Sequence, residues 1–356
     1  MDLIYFSPVP WNSIAQRPHF FVKKAIENGF KKVVWVNPTP SRFPERSDIR
    51  RLLSPFEADS FDKPENIDII SPSLIPIEPF NYIYNKVNKV RMASVLKDIK
   101  SCLSSEICHV VIGKPSLLSI YLLENMDFST SSLDIMDDFP CFFNGIAKKS
   151  VSCILSRTIK IVDICIYSCS TLKDKYSLAN DKSIFILNAC DDLFLEKCND
   201  IKYKKRKLNK RVFGYIGTVA TWFDWDLVYK LANDYPSDMI NIIGPLYSKI
   251  PLPKPNNINI FPAVEHSEIV EIIATFDFGL IPFKINELTE SVDPVKYYEY
   301  KAMGIPVISS SFGQMTSRIK DGFVYDFSDF KELSDVRNEE TSTWSQRFSP
   351  FFDRIL

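Results

Sequence analysis

Several groups of residues in this 356-residue chain have the types and spacing to do chemistry. The clearest is the run Ser291-Val292-Asp293-Pro294-Val295-Lys296-Tyr297-Tyr298-Glu299, which continues to Gly304. Asp293 stands where a helix N-cap belongs, Pro294 at a first helical position and Gly304 at the stop. A helix N-terminus offers unpaired N–H groups and the positive end of the dipole, which suits a phosphate. Lys296 falls in that first turn, where the dipole disfavours a cation, and a bound phosphate would relieve the conflict. Glu299 shares its face three residues on, and a carboxylate there accepts hydrogen bonds from ribose hydroxyls. A plain surface ion pair is the alternative.

A second group is Asp137 and Asp138, directly after the apolar run Leu133–Met136. One of them could act as a general base on an acceptor hydroxyl, or hold such hydroxyls in place. An Asx turn or helix cap is the alternative. The third group is Trp11, Arg17 and His19. An indole face and a guanidinium suit a sugar or anionic acceptor, although His19 also fits a helix first turn. Gly217 and Thr218 follow a strand-like run, where a residue without a Cβ lets backbone approach a diphosphate. Gly244 occupies the equivalent place after the next run. Metal chemistry is not expected. There are three histidines, no H-E-x-x-H and no C-x-x-C among eight cysteines, and Asp224-Trp225-Asp226 reads as a helix start.

Strands and helices must bring these groups together. Short continuous apolar runs at 3–6, 32–36, 67–70, 109–112, 133–136, 164–167 and 184–187 are separated by helical patterns. Such strands belong to a parallel sheet covered on both faces. The pattern restarts with runs at 212–216, 239–243, 258–261, 278–281 and 306–309. The expected fold class is α/β, with two doubly wound parallel-sheet domains facing a cleft. The predicted boundaries are 1–195, a basic linker at 196–211, 212–335, and a C-terminal segment 336–356 that returns to the first domain. Charge follows the same division. Residues 1–211 hold 31 Lys and Arg against 24 Asp and Glu, and the remainder 12 against 20. Ten glycines exclude collagen-like and glycine-loop architectures, and neither G-x-G-x-x-G nor a P-loop is present.

The 291–308 stretch resembles the donor-binding helix of GT-B glycosyltransferases, whose pattern reads P-x-K-x-x-E-Y-x-A-x-G-x-P-V. Other segments agree in order. Pro10-Trp11 and Gln16-Arg17-Pro18-His19 resemble an N-terminal loop of teichuronic-acid, capsule and O-antigen-type sugar transferases. Leu133-Asp134-Ile135-Met136-Asp137-Asp138 resembles their Y-D-x-x-D-D strand end, and Asn188-Ala189-Cys190-Asp191 their N-G-V-D turn. Residues 213–217, 222–224 and 278–289 resemble donor-domain segments. The resemblance implies the GT-B fold and a metal-independent transferase without a cofactor. The donor would be a nucleotide-sugar, most often UDP-linked. Gly217, Thr218, Gly244, Thr289, Ser291, Val292, Lys296 and Glu299 would hold it, and Lys296 with the Ser291 and Val292 amides would neutralise the leaving diphosphate. Trp11, Arg17 and His19 would meet the acceptor. Relatives in glycosyltransferase family four carry two glutamates eight positions apart. Glu299 matches the second, but Ser291 stands at the first and Glu290 is offset by one. A UDP-sugar 2-epimerase and a catalytically degenerate glycan-binding scaffold remain alternatives on the same fold.

Two basic segments bear on location. Residues 79–100 carry Lys86, Lys89, Arg91, Lys97 and Lys100 against Asp98, interleaved with Phe80, Tyr82, Ile83, Val87 and Val90. That is the composition of an interfacial amphipathic helix. Residues 202–211 add seven basic residues, and such clusters favour anionic leaflets. Met1-Asp2 opens the sequence without an apolar signal region, and no apolar run reaches spanning length. These features predict a cytoplasmic protein, peripheral on the inner leaflet, with a lipid-linked glycan acceptor and reduced cysteines. A solvated helix face and a polar linker are the plain readings. No nucleic-acid module accompanies the basic runs.

Overall fold

The computed structural model describes residues 1–42, 63–177, 182–201, 210–265, 268–320, 323–328 and 341–356. The chain divides into two compact units, Met1–Leu187 with Ser345–Leu356, and Asn188–Trp344. The boundary thus falls before residue 195, and helix Asp192–Ile201 belongs to the second unit. Most of the expected linker, and with it most of the 202–211 basic cluster, lies outside the described residues.

The first unit holds β1 (Asp2–Phe6), α1 (Arg17–Glu27), β2 (Val33–Val36), β3 (Ile67–Ile70), α2 (Asn81–Cys102), β4 (Cys108–Ile112) and α3 (Leu117–Asn125). They are followed by β5 (Thr130–Ile135), α4 (Gly145–Ile161), β6 (Ile164–Tyr167), α5 (Ser170–Tyr176) and β7 (Ser183–Phe185). Its seven strands run parallel in the order β3-β2-β1-β4-β5-β6-β7. Strands buried on both faces are apolar or nearly so: β2 is apolar throughout and β4 is so apart from His109, and both are buried along their length, as a helix-covered sheet requires.

The second unit holds α6 (Asp192–Ile201), β8 (Val212–Ile216), α7 (Trp225–Asp234), β9 (Met239–Ile243), β10 (Ile258–Phe261), α8 (Ile269–Ile273) and β11 (Phe278–Ile281). Next come α9 (Val295–Ala302), β12 (Val307–Ser309), α10 (Gly313–Ile319) and β13 (Val324–Asp326). The sheet has six parallel strands, order β10-β9-β8-β11-β12-β13, against an expected five. The sixth, β13, has only three residues, too few to register as a periodic run. Asp224 caps α7 through the amides of Asp226 and Leu227, in keeping with a helix start at 224–226.

The final helix, α11 (Trp344–Ile355), folds its aromatic stripe onto the first unit. Phe348 and Phe352 pack within 4.9 and 5.1 Å of the Phe21 ring on α1. All eight cysteines are free thiols.

Candidate functional site

In a doubly wound sheet, ligands bind beyond the carboxyl ends of the strands where the strand order reverses. In the second unit that point lies between β8 and β11. Gly217 follows β8 immediately, with φ of +138°, a conformation natural to glycine alone. Its amide is spent on the Ile243 carbonyl at 2.8 Å. What glycine provides is an open Cα face, and the Lys296 side chain lies across it. A Cβ at residue 217 would stand 2.4 Å from Lys296 Cε and 2.6 Å from Nζ. Gly244, after β9, also has φ of +138°, and a Cβ there would meet the Gly217 carbonyl oxygen at 2.2 Å. Gly244 therefore supports the Gly217 turn from behind. Thr218 is half-buried, and its carbonyl accepts the Tyr215 hydroxyl at 2.7 Å.

Lys296 sits in the first turn of α9, with Nζ 5.5 Å from the centre of the Tyr215 ring. Burial lowers its pKa, partly opposed by the charge of Glu299. Its ammonium has no hydrogen-bond or ion-pair partner among the described residues. A half-buried lysine beside the free amides of a helix start has the charge and the donors to hold an anion. Tyr300 fixes the helix that carries it. A Cβ on Gly279 of β11 would lie 2.4 Å from the Tyr300 ring. The Tyr300 hydroxyl meets the Gly214 carbonyl at 3.3 Å and the Ile216 amide at 3.4 Å. Glycine at 279 thus lets the helix settle against the sheet, which sets the height of Lys296.

Three details differ from expectation. Asp293 does not cap α9: Pro294 occupies the cap position and the helix begins at Val295. The Asp293 carboxylate is buried and accepts Arg318, the Tyr298 hydroxyl and the Asn188 amide. The amides of Ser291 and Val292 are also not free, because they donate to the Leu288 and Thr289 carbonyls within a 3-10 turn, Thr289–Ser291. Thr289 is buried, and its hydroxyl binds the Lys284 carbonyl in its own loop. The amides left for an anion are therefore those at the true helix start, Val295 and Lys296. Ser291 itself is buried, while the offset Glu290 turns its carboxylate to the Gly313 amide at 3.1 Å.

In the first unit, Asp137 and Asp138 come just after β5 and have different environments. Asp138 is buried and accepts Lys175 at 2.6 Å and the Tyr176 hydroxyl at 2.7 Å. Asp137 is half-buried and has no side-chain hydrogen bond among the described residues. Burial pushes its carboxyl up to about 7, opposed by Arg17 and reinforced by Asp134 and Asp138. A carboxyl titrating near neutrality is poised to take a proton.

Trp11, Arg17 and His19 are all buried, and the polar side-chain atoms of Arg17 and His19 bond within the unit, so the structure does not present them as the exposed surface expected for an acceptor. Arg17 makes a forked ion pair with Asp134 of β5 at 2.9–3.1 Å and donates to the Ile186 carbonyl at 3.0 Å. His19 accepts the Gln16 amide on Nδ1, bonds the Trp11 carbonyl through Nε2, and packs beside Trp11 and Trp35. Burial lowers its pKa, as suits a neutral framework imidazole. These residues hold the loop between β1 and α1 in place.

Sequence reasoning missed Tyr215, Tyr300, Asp134, Lys175, Tyr176 and Arg318. The signal for Tyr300 was present in Gly279, a strand residue without a Cβ against which its ring packs. Nothing local marked Arg318, which lies 25 residues from its partner.

No protein-family model matches the chain. A teichuronic acid biosynthesis glycosyltransferase, TuaH of Bacillus subtilis strain 168, is 26% identical over 123 residues. The match covers 33% of this chain and 30% of that relative. Solved structures match far more of the chain. Sucrose-phosphate synthase from Thermosynechococcus elongatus superposes with a TM-score of 0.59 at 10% identity, covering 100% of this chain and 90% of that one. A trehalose-6-phosphate structure from E. coli, bound with UDP-2-fluoro glucose, gives 0.58 at 11% identity over 92% and 88%. A glycosyltransferase from Rickettsia africae ESF-5 gives 0.50 at 15% over 99% and 87%. The chain has the GT-B glycosyltransferase fold. In this GT-B chain the turn after β8 and the start of α9 meet at one point, and Lys296 is the cation placed there.

Proposed function

We propose that this GT-B chain is a glycosyltransferase whose second unit binds a nucleotide-diphospho-sugar, UDP-linked in the first instance. The observation that carries the reading is Lys296: a half-buried side chain whose ammonium has no hydrogen-bond or ion-pair partner among the described residues, laid across Gly217 at the strand-order reversal, beside the first amides of α9. Diphosphate is the leaving group that needs such a cradle. Lys296 and the helix dipole would stabilise its developing charge without a metal ion. Glu299, a turn further along α9, would accept ribose hydroxyls.

The transfer balances simply. The acceptor oxygen attacks the anomeric carbon, the bond from that carbon to the β-phosphate oxygen breaks, and its electron pair leaves with the nucleoside diphosphate. The acceptor proton would go to Asp137, whose carboxyl titrates near 7. The likeness to TuaH favours a glycan acceptor of the teichuronic-acid kind; a lipid-linked form, reached from a peripheral position on the inner leaflet, is what the basic and apolar exposed face of α2 favours. No described helix is long and apolar enough to cross a membrane.

One observation favours a second reading, a non-catalytic glycan-binding scaffold. Ser291 stands where the resemblance expects a carboxylate, and Glu290 is turned to Gly313. Titration calorimetry with UDP, GDP and dTDP, followed by a transfer screen of their sugars against membrane extract, separates the two. Nucleotide binding with turnover in EDTA supports the metal-independent enzyme. Binding without turnover supports the scaffold, and no binding sinks the donor-site assignment.

A further inference from the structure

Helix α2 carries two faces that need different partners. Tyr84, Asn88, Met92, Val95 and Ile99 are buried, at spacings that keep one face on the first unit's core. A second apolar stripe is formed by Phe80 just before the helix, then Ile83, Val87 and Val90, at spacings of three and four. It is solvent-exposed, with Ile83 at 52% and Val90 at 81%. At 100° per residue this stripe is centred about 120° around the helix from the core face. Exposed apolar residues scattered singly need no explanation, but a contiguous stripe does.

Charge narrows what can cover it. Lys86, Lys89, Lys97 and Lys100 flank the stripe on one side and Arg91 on the other, all exposed, against the single acid Asp98. A second copy of α2 laid against this face would bring lysine against lysine, with one acid, Asp98, for five cations on each copy. An anionic surface with an apolar interior accepts both features: the stripe sinks in, and the lysine stems follow while their ammonium groups stay at the headgroups. Tyr82, 81% exposed among the lysines, is suited to the same boundary. The patch continues beyond the helix. The Ser150 hydroxyl of α4 reaches the Glu78 carbonyl at 3.4 Å, next to the start of α2. At that edge Phe142, Ile146 and Lys149 are also exposed.

We infer that this face of α2, extended by the start of α4, docks the protein on an anionic phospholipid bilayer, with α2 lying in the plane of the headgroups. The inference deepens the proposed inner-leaflet position by naming the surface. It does not depend on the donor-site assignment, because nucleotide binding is measured separately.

The experiment is co-sedimentation of the whole protein with vesicles of phosphatidylcholine, with and without phosphatidylglycerol, at low and high salt. Binding is expected only with phosphatidylglycerol, and weaker at high salt. Lys86→Gln and Lys89→Gln should each weaken it about fivefold. Val87→Gln with Val90→Gln should weaken it further, and UDP affinity by calorimetry should stay constant. The substituted side chains are exposed, so folding is not at stake. Failure of the native protein to sediment overturns the inference, as does sedimentation indifferent to the α2 substitutions, which would move the contact to another basic segment. A dimer in size-exclusion chromatography that Val87→Gln with Val90→Gln dissolves would also overturn it, because a second copy would then cover the stripe. Loss of UDP binding with vesicle binding intact would sink the donor site and leave this surface standing.

Discussion

The Arg318 guanidinium stands 2.6 Å from Asp293 Oδ1 and 3.8 Å from the centre of the Tyr297 ring. One cation thus holds both the loop that leads into α9 and the first turn of the helix. The same carboxylate accepts the Tyr298 hydroxyl at 3.0 Å and the Asn188 amide at 2.8 Å. Asp293 is therefore a buried junction from which the helix start, and with it Lys296, takes its position. The first unit contains a counterpart in Arg17 and Asp134, which ties α1 to β5. In both units a buried arginine uses its planar fork, which lysine cannot copy.

Removing one partner of either pair leaves a buried charge alone, a loss of about 3–5 kcal/mol. Arg318→Met and Arg17→Met should each lower the free energy of unfolding by an amount in that range. The two should differ in ligand binding. Arg318→Lys is expected to weaken nucleotide affinity because α9 loses its anchor, whereas Arg17→Lys should leave it unchanged. Chemical denaturation together with UDP calorimetry on all four variants checks this, and equal affinities across the set would contradict the anchoring role.

Lys296→Met keeps the packing against Gly217 and removes the charge. Nucleotide affinity should fall at least tenfold, since a charge-assisted contact to phosphate is lost, while stability should hold or rise because burial opposes the ammonium. Gly217→Ala attacks the same contact from the other side. The new methyl would overlap Lys296 Cε, and φ of +138° is unfavourable for alanine, at a cost of about 1–3 kcal/mol. It should lose both stability and affinity. Calorimetry and thermal melts on the pair separate the contributions of charge and shape.

Much of this site was legible in the chain, for physical reasons that can be named. Strands buried on both faces read as apolar runs, so β1, β2, β4 and β8 were visible. Lys296 was visible because a cation in a first helical turn is locally unfavourable. The misread residues are those whose role depends on distant partners. Asp293 has the residue type of a cap, but Arg318 and Asn188 approach it from other elements and claim its carboxylate. Arg17 looked like an acceptor ligand because nothing nearby in sequence shows that Asp134 will lie beneath it. Ser291 and Val292 appeared to offer free amides only because the 3-10 turn that uses them leaves no periodic trace.

Asp137 gives a pH prediction with a definite sign. Its folded pKa, about 7, lies above the ordinary carboxylate value. The fold therefore favours the protonated form, and this contribution to stability is present at low pH and is lost as pH rises through about 7. The reaction needs the opposite form. Transfer rate should climb with pH and level off above about 7, while stability declines over the same interval. Asp137→Asn should abolish the pH dependence of the rate and most of the rate itself. Its melting temperature at pH about 8 should equal or exceed that of the parent. A rate profile flat through neutrality in the parent protein would remove Asp137 as the base.

Glu290 and Ser291 bear on how the donor sugar is held. Glu290 accepts the Gly313 amide at the start of α10, and a Cβ on Gly313 would press the Glu290 carbonyl oxygen at 2.8 Å. The carboxylate is therefore occupied by a helix end, and a carbonyl oxygen could serve there almost as well. Glu290→Gln keeps that acceptor and should leave the donor KM within about twofold, with stability reduced by no more than the ~0.3–1 kcal/mol of a charge at a helix N-terminus. Glu290→Ala removes the acceptor and should cost about 0.5–2 kcal/mol, as loss of a cap does. If Glu290 instead contacted the sugar, Glu290→Gln would raise the donor KM or lower kcat by tenfold or more with stability untouched. Steady-state kinetics and denaturation on these two variants distinguish the outcomes.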